Sequence, residues 1–263
     1  MKLKGGIALI KSSFLSFTAS RGFYWTLTFG WMLTPLIYMF VWVSATGDSG
    51  ISGFNKTDFI TYYIIMMVVN QITYPISHWS VGDRIFDGTF STWLLRPLPT
   101  IYEAIAGDIA MKVACAPFIL IFILITFICF GFKFSVELSL IGVFILSVIL
   151  AQILRFMLAY CLSLFALMTN KINSLLTIND TLLFLLAGQV VPTVLLPGIV
   201  KSISYYLPFR YMLGFPVEIF IGKLSTEDIM QGFIIQLIWI VFALIAHRIV
   251  YRVGVKHYSA IGG

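Results

Sequence analysis

Charged residues are scarce in this chain. Asp, Glu, Lys and Arg make up 11% of its 263 residues, against 60% hydrophobic ones, and the mean hydropathy is +0.99. A water-facing surface on a domain of this size needs about 25% charged residues, so a soluble globular fold is excluded. Cysteine is scarcer still. Cys115, Cys129 and Cys161 each lie inside an apolar run, at spacings unlike any zinc motif or disulfide framework, and read as small buried side chains. His78, His247 and His257 share no metal-like spacing. No G-x-x-x-x-G-K-[ST] segment occurs, so no loop in this sequence is built to cradle nucleotide phosphates.

What fills the sequence instead is a series of six long apolar runs. Gly22 to Gly47 contains no charged residue, and between Asp58 and Asp83 only His78 can titrate near neutral pH. Val113 to Phe132 is uncharged, Leu138 to Asn170 is interrupted only by Arg155, and Thr181 to Val200 and Ile229 to Ala246 complete the set. A helix crossing hydrocarbon needs about 20 apolar residues at about 1.5 Å each, and every run qualifies. The expected fold is an all-α polytopic membrane protein, one transmembrane domain over residues 1–263. Its spans fall near 23–46, 58–79, 113–132, 138–168, 173–191 and 229–247. Pro35 is expected to kink the first, and the fourth is long enough that it must tilt or project.

The net charge of +6 is placed by topology rather than gathered into a nucleic-acid groove. With the N-terminus inside, Lys2, Lys4, Lys11, Arg21, Arg84, Arg96, Lys112, Lys171, Arg248, Arg252 and Lys256 are cytoplasmic, while Lys56, Lys133, Lys201, Arg210 and Lys223 are outside. That excess follows the positive-inside rule, puts both termini in the cytoplasm and favours contact with anionic lipid. The first 20 residues are not expected to be a signal peptide, since they lack a continuous apolar core and a small-residue cleavage site and Lys11 interrupts the run. Leu3, Ile7, Ile10, Phe14 and Phe17 recur at helical spacing with Lys11, Ser12 and Ser16 off the stripe, which predicts an amphipathic helix lying in the interface. Residues 192–228 are apolar but punctuated by Pro192, Pro197, Pro208 and Pro216. They predict two half-helices, Gly198 to Leu207 and Arg210 to Ile221, in a re-entrant outer segment before the last span.

The most charged stretch, residues 80–112, is expected to be a cytoplasmic coupling segment. Within it Ile85, Phe86, Phe90, Trp93 and Leu94 offer an apolar surface rimmed by Asp83, Arg84, Asp87 and Arg96. Such a surface needs a cover, either lipid or a soluble partner. The pattern I-x-x-G-x-x-x-x-x-L-L-R-P-L, here Ile85, Gly88, Leu94, Leu95, Arg96, Pro97 and Leu98, resembles the segment after the second span in permeases of type-2 ABC exporters. The six-span layout, amphipathic N-terminus and broken outer segment are similar to that superfamily too, within it to the small permeases of drug and antibiotic export. The resemblance implies two permeases, identical or related, over two ATPase subunits. It makes the stretch from Asp83 to Pro99 the coupling helix seated in the ATPase. It also implies that ATP and Mg are bound by that partner, with no cofactor on this chain, and that the complex sits in a bacterial inner membrane.

Inside the spans, Arg155 and Asp180 are the conspicuous charges and Asn70, Gln71, Gln152 and Gln189 the conspicuous amides. An intramembrane charge must face protein or water, so these residues either line a translocation path or bind helix to helix. Asp180 pairs with Arg155 only if the arginine reaches down its helix. Asp83 and Asp87 share a helical face but have no accompanying nucleophile or metal set for hydrolysis. The expected function is the non-catalytic permease subunit of an ATP-driven exporter of a hydrophobic or amphipathic substrate: a drug, peptide antibiotic or lipid-like molecule. The alternatives are an ion-coupled secondary transporter or channel using Arg155 and Asp180, and a membrane-embedded lipid-modifying enzyme.

Overall fold

The computed structural model describes residues 3–19, 21–47, 50–130, 138–169 and 172–258. The turns expected around Lys133 and Lys171 lie outside the described residues. Helix α1 (Leu3–Ala19) packs along α6 (Thr100–Phe130), with Phe17 against Tyr74, Ile76, Met111 and Cys115. Helix α2 (Arg21–Ala45) runs on through Pro35. Next come α3 (Lys56–Thr73), α4 (Ser77–Phe86) and the short α5 (Phe90–Leu94). Helix α7 (Leu138–Ser163) tightens into a 3-10 turn at Leu164–Leu167, and α8 (Ile172–Leu186) follows. Three short pieces, α9 (Gly198–Tyr206), α10 (Pro208–Met212) and α11 (Gly214–Phe220), precede the long α12 (Thr226–His257).

Two helix starts are written locally. Asn55 with Asp58, and Ser225 with Asp228, form capping boxes that satisfy the first free N–H groups of α3 and α12. Among the described residues four helical stretches are long and apolar enough to cross a membrane: Lys56–Phe86, Thr100–Thr126, Leu140–Leu167 and Thr226–His257. Helices α6, α7 and α12 carry exposed apolar faces, with Leu120, Ile149 and Ile238 among them, as lipid-facing helices do. The stretch through α3 and α4 is instead enclosed by its neighbours.

Three elements depart from the sequence expectation. The second span is broken at Tyr74 to Ile76, because Pro75 lacks an N–H and disfavours helical backbone at Tyr74, which takes an extended conformation. Helix α6 begins at Thr100 and not near residue 113, so Glu103, Asp108 and Lys112 are helical. Helix α12 continues ten residues past 247 to His257. The half-helices of the 192–228 segment are present, the second divided at Leu213.

The break in the second span coincides with a division of the interior. One apolar core joins Phe59, Tyr62, Met66 and Val69 of α3 to Leu154, Leu183, Met212, Phe215 and Ile240. A second joins Val81 and Ile85 of α4 to Phe90, Trp93, Phe156, Tyr160, Leu176 and Val250. We call the end that bears α1, residues 87–99 and Tyr258 basal, and the end that bears the α2–α3 loop and α9–α11 apical. Lys223 closes the apical end by donating to Gly53 O (2.8 Å) and Asp58 Oδ2 (3.0 Å).

Candidate functional site: a basal loop and a polar layer

At the basal end, α4 stops where Gly88 takes φ +72, a left-handed conformation that a side chain would strain. The Gly88 carbonyl accepts from Ser91 Oγ (2.6 Å) and from Tyr258 Oη (3.1 Å), which ties the loop to the end of α12. This folding-back turns the apolar side of the loop inward. Ile85, Phe90 and Trp93 are buried in the basal core, and Phe86 and Leu94 are half-buried. The expected apolar surface is therefore mostly interior. What remains outside is Leu95, 86% exposed, and the exposed Asp83, Arg84, Asp87, Arg96 and Pro97 of the same segment. Arg96 pairs with Glu103, and the Arg84 guanidinium lies 4.9 Å from the centre of the Trp93 ring. Asp83 and Asp87 have no ion-pair partner among the described residues. Partial burial, with the Asp87 carboxylate beside it, holds the Asp83 carboxyl above its usual range.

Between the two cores lies a layer of polar side chains, and most of it faces the break in the second span. Arg155 Nη1, in a side chain only 6% exposed, donates to Asn70 Oδ1 (2.8 Å) and Thr73 Oγ1 (2.9 Å), and more loosely to Asn70 O (3.4 Å). A cation thus stands at the C-terminal, negative end of α3. On the other side of the break, Asp108 Oδ1 accepts the Ile76 N–H (2.9 Å), placing a carboxylate at the positive start of α4. Asp108 Oδ2 accepts from Gln152 Nε2 (2.9 Å) and from the Lys112 ammonium. Two of the backbone groups freed by the break, the Asn70 carbonyl and the Ile76 N–H, thereby meet charges from two other helices, as a low-dielectric interior favours.

The candidate path residues divide. Asn70, Arg155, Asp180 and Gln189 line one open cavity of about 420 Å³ together with Tyr74 and Phe184. Gln152 turns instead to Asp108, and Gln71 is buried with its Nε2 unpartnered among the described residues. Arg155 and Asp180 share the cavity without pairing. Asp180 Oδ1 lies 3.2 Å from His78 Nε2, close enough for an ion pair when the imidazole is protonated but outside hydrogen-bond geometry.

Two clusters escaped sequence reasoning. Asp108 was hidden because residues 80–112 read as a hydrophilic connection, although its i, i+4 spacing to Lys112 is a helical signal. In the apical half-helices Arg210 Nη2 donates to Glu218 Oε2 (2.6 Å) and Arg210 Nε to Thr193 Oγ1 (3.0 Å), while the Thr193 hydroxyl donates to Glu218 Oε1. Glu218 is fully buried, and Arg210 stacks 3.7 Å over Tyr205. Opposite charges eight residues apart in an apolar segment were the available sign.

Long lipid-facing helices around a buried, broken span define a multi-pass helical membrane protein. Over residues 29–262 the sequence matches the family model described as ABC-2 family transporter protein, and the chain belongs to that family. It is a membrane component of a transporter. No curated protein sequence matches it significantly.

Proposed function

We propose that this chain is the permease subunit of an ATP-driven exporter. Two ATPase subunits bind its basal loop, a second permease, identical or related, completes the path, and the cargo is hydrophobic or amphipathic. In this reading the chain crosses the bacterial inner membrane six times, α2 and α8 included, with the basal end and both termini in the cytoplasm. ATP and Mg belong to the partner, and this chain performs no chemistry.

The observation that carries the proposal is the construction of the basal loop. Ile85, Phe90 and Trp93 anchor it in the core while Leu95 and the carboxylates Asp83 and Asp87, which have no ion-pair partner among the described residues, are exposed. An exposed leucine and exposed carboxylates on one anchored segment suit a partner with an apolar notch and a basic rim. The carboxylates also sit at the C-terminal end of α4, where the helix dipole disfavours them, so a cationic partner relieves a cost already present. The test is co-purification from membranes with a co-expressed ATPase. Asp83→Lys/Asp87→Lys and Leu95→Asp should each remove the ATPase and leave the permease in the membrane. Assembly at wild-type yield in both variants overturns the reading. Transport that a protonophore abolishes and ATP depletion spares would favour an ion-coupled mechanism instead.

A further inference from the structure

A second cavity, of about 270 Å³, opens at the basal end between α1, α4, α5 and α6. Ser12, Ser13 and Ser16 line it from α1 and Ser80 and Arg84 from α4, and the paired Arg96 and Glu103 also line it. Among the described residues the four serine hydroxyls and the Arg84 guanidinium have no hydrogen-bond acceptor. Arg84 is instead held against the Trp93 face, which fixes the cation while leaving its N–H groups available. Arg96 and Glu103 cancel, so the lining has a net charge of +1. Convergent donors around one uncompensated guanidinium make an anion site, and a tetrahedral oxyanion with several acceptor oxygens uses them best.

The position of the site selects among anions. It lies under a helix whose outward side carries exposed Ile7 and Leu15, and beside the exposed apolar face of α6. An anion attached to acyl chains can place its phosphate in the cavity and its tails along those faces. We infer that this cavity binds the phosphate of an anionic phospholipid headgroup from the basal leaflet. The lipid joins the amphipathic N-terminal helix to the helix that leads into the basal loop. Its affinity has a Coulombic part from Arg84 and a hydrogen-bonding part from the serines. The inference needs the chain in a membrane but not an ATPase, so it stands or falls apart from the proposed function.

The experiment uses the full chain, purified without partners and stripped of lipid in detergent. It is incubated with phosphatidylglycerol or phosphatidylcholine of matched acyl chains, and bound lipid is counted by native mass spectrometry. One phosphatidylglycerol should be retained per chain in preference to phosphatidylcholine. Arg84→Gln should lower its affinity about fivefold, the effect of one basic residue at an anionic lipid surface. Ser12→Ala/Ser13→Ala/Ser16→Ala, which favours the helix, should lower it at least as much. Equal retention of the two lipids, or unchanged retention in both variants, overturns the inference. Displacement of the lipid by millimolar inorganic phosphate would make this a free-phosphate site and overturn the lipid assignment.

Discussion

Asp108→Asn isolates what the polar layer contributes, because it changes charge and hydrogen bonding without changing volume. The Ile76 N–H reaches Oδ1, so the amide oxygen of the variant is drawn there. Its NH₂ then faces the Lys112 ammonium, donor against donor, while Gln152 can turn its amide so that the otherwise unpartnered Oε1 accepts from it. Each hydrogen bond to a charged group contributes about 1.5–3 kcal/mol. Loss of the carboxylate at the start of α4 removes about 0.3–1 kcal/mol more. Lys112 keeps 22% of its side chain exposed and can swing toward water, which moderates the loss. The expected destabilisation is about 3 kcal/mol, a large part of the 5–15 kcal/mol typical of a folded protein. Adding Lys112→Met removes the opposing donor and the stranded charge, so the double variant should recover part of the loss. Equilibrium unfolding in mixed micelles, followed by tryptophan fluorescence, measures both. A change within about 0.5 kcal/mol of wild type, the range of an ordinary surface substitution, refutes the reasoning.

Three further outcomes follow from the same geometry. Glu218→Gln leaves Arg210 buried without its counter-ion and should cost about 3–5 kcal/mol, while Arg210→Met/Glu218→Leu should restore most of it; equal losses in the two variants by micelle unfolding contradict the pairing. Arg155→Met removes two charge-assisted hydrogen bonds, to Asn70 and Thr73, but leaves no orphan charge and borders an open cavity where water can take their place. It should therefore cost about 3 kcal/mol, yet abolish efflux of a lipophilic dye from cells co-expressing the ATPase; parallel loss of protein and efflux marks Arg155 as structural. Hydrogen bonds from the Ser225 hydroxyl and N–H hold the Asp228 carboxyl below its ordinary value of 3.8, so this cap stabilises above that pH and fades as pH falls below it. Ser225→Ala should therefore lose about 1 kcal/mol at pH 6, with the gap from wild type narrowing below pH 3.8 in a pH series of unfolding; a gap that widens on acidification contradicts the assignment.

Apolar run length placed the helical stretches, because it is set by hydrocarbon thickness and survives any packing. The half-helices were legible for a similar reason: Pro192, Pro197, Pro208 and Pro216 act on the backbone locally. Pro35 and Pro75 show where that reasoning ends. One lies inside a continuous helix and the other breaks one. At the second, a carboxylate from α6 takes the Ile76 N–H and a guanidinium from α7 lies against the Asn70 carbonyl. Such partners are remote in sequence, and no local pattern announces them. The start of α6 was hidden likewise, since Asp108 is polar by composition yet buried by its partners. The inward face of Ile85, Phe90 and Trp93 was unreadable because the turn at Gly88 resets the helical phase between the first and the other two.

The two cores suggest how force entering at the basal loop would be divided. Close-packed apolar interiors resist deformation and move as units, whereas a hydrogen-bonded layer can exchange partners. Helix α4 shares its core with α7, the Leu164–Leu167 turn and α12, while α3 packs in the other core. The covalent link between α3 and α4 is the three residues Tyr74 to Ile76. Under the proposed coupling, a push on the basal loop therefore moves the basal core and tilts the continuous α7 and α12 with it. The mismatch with the apical core concentrates at the break, where Arg155 holds the end of α3 and Asp108 the start of α4. The cavity shared by Arg155, Asp180 and Gln189 borders that same break. A change in angle between α3 and α4 therefore alters the shape of this cavity, while α3, packed on α11, carries the change on toward the Arg210–Glu218 cluster at the apical end.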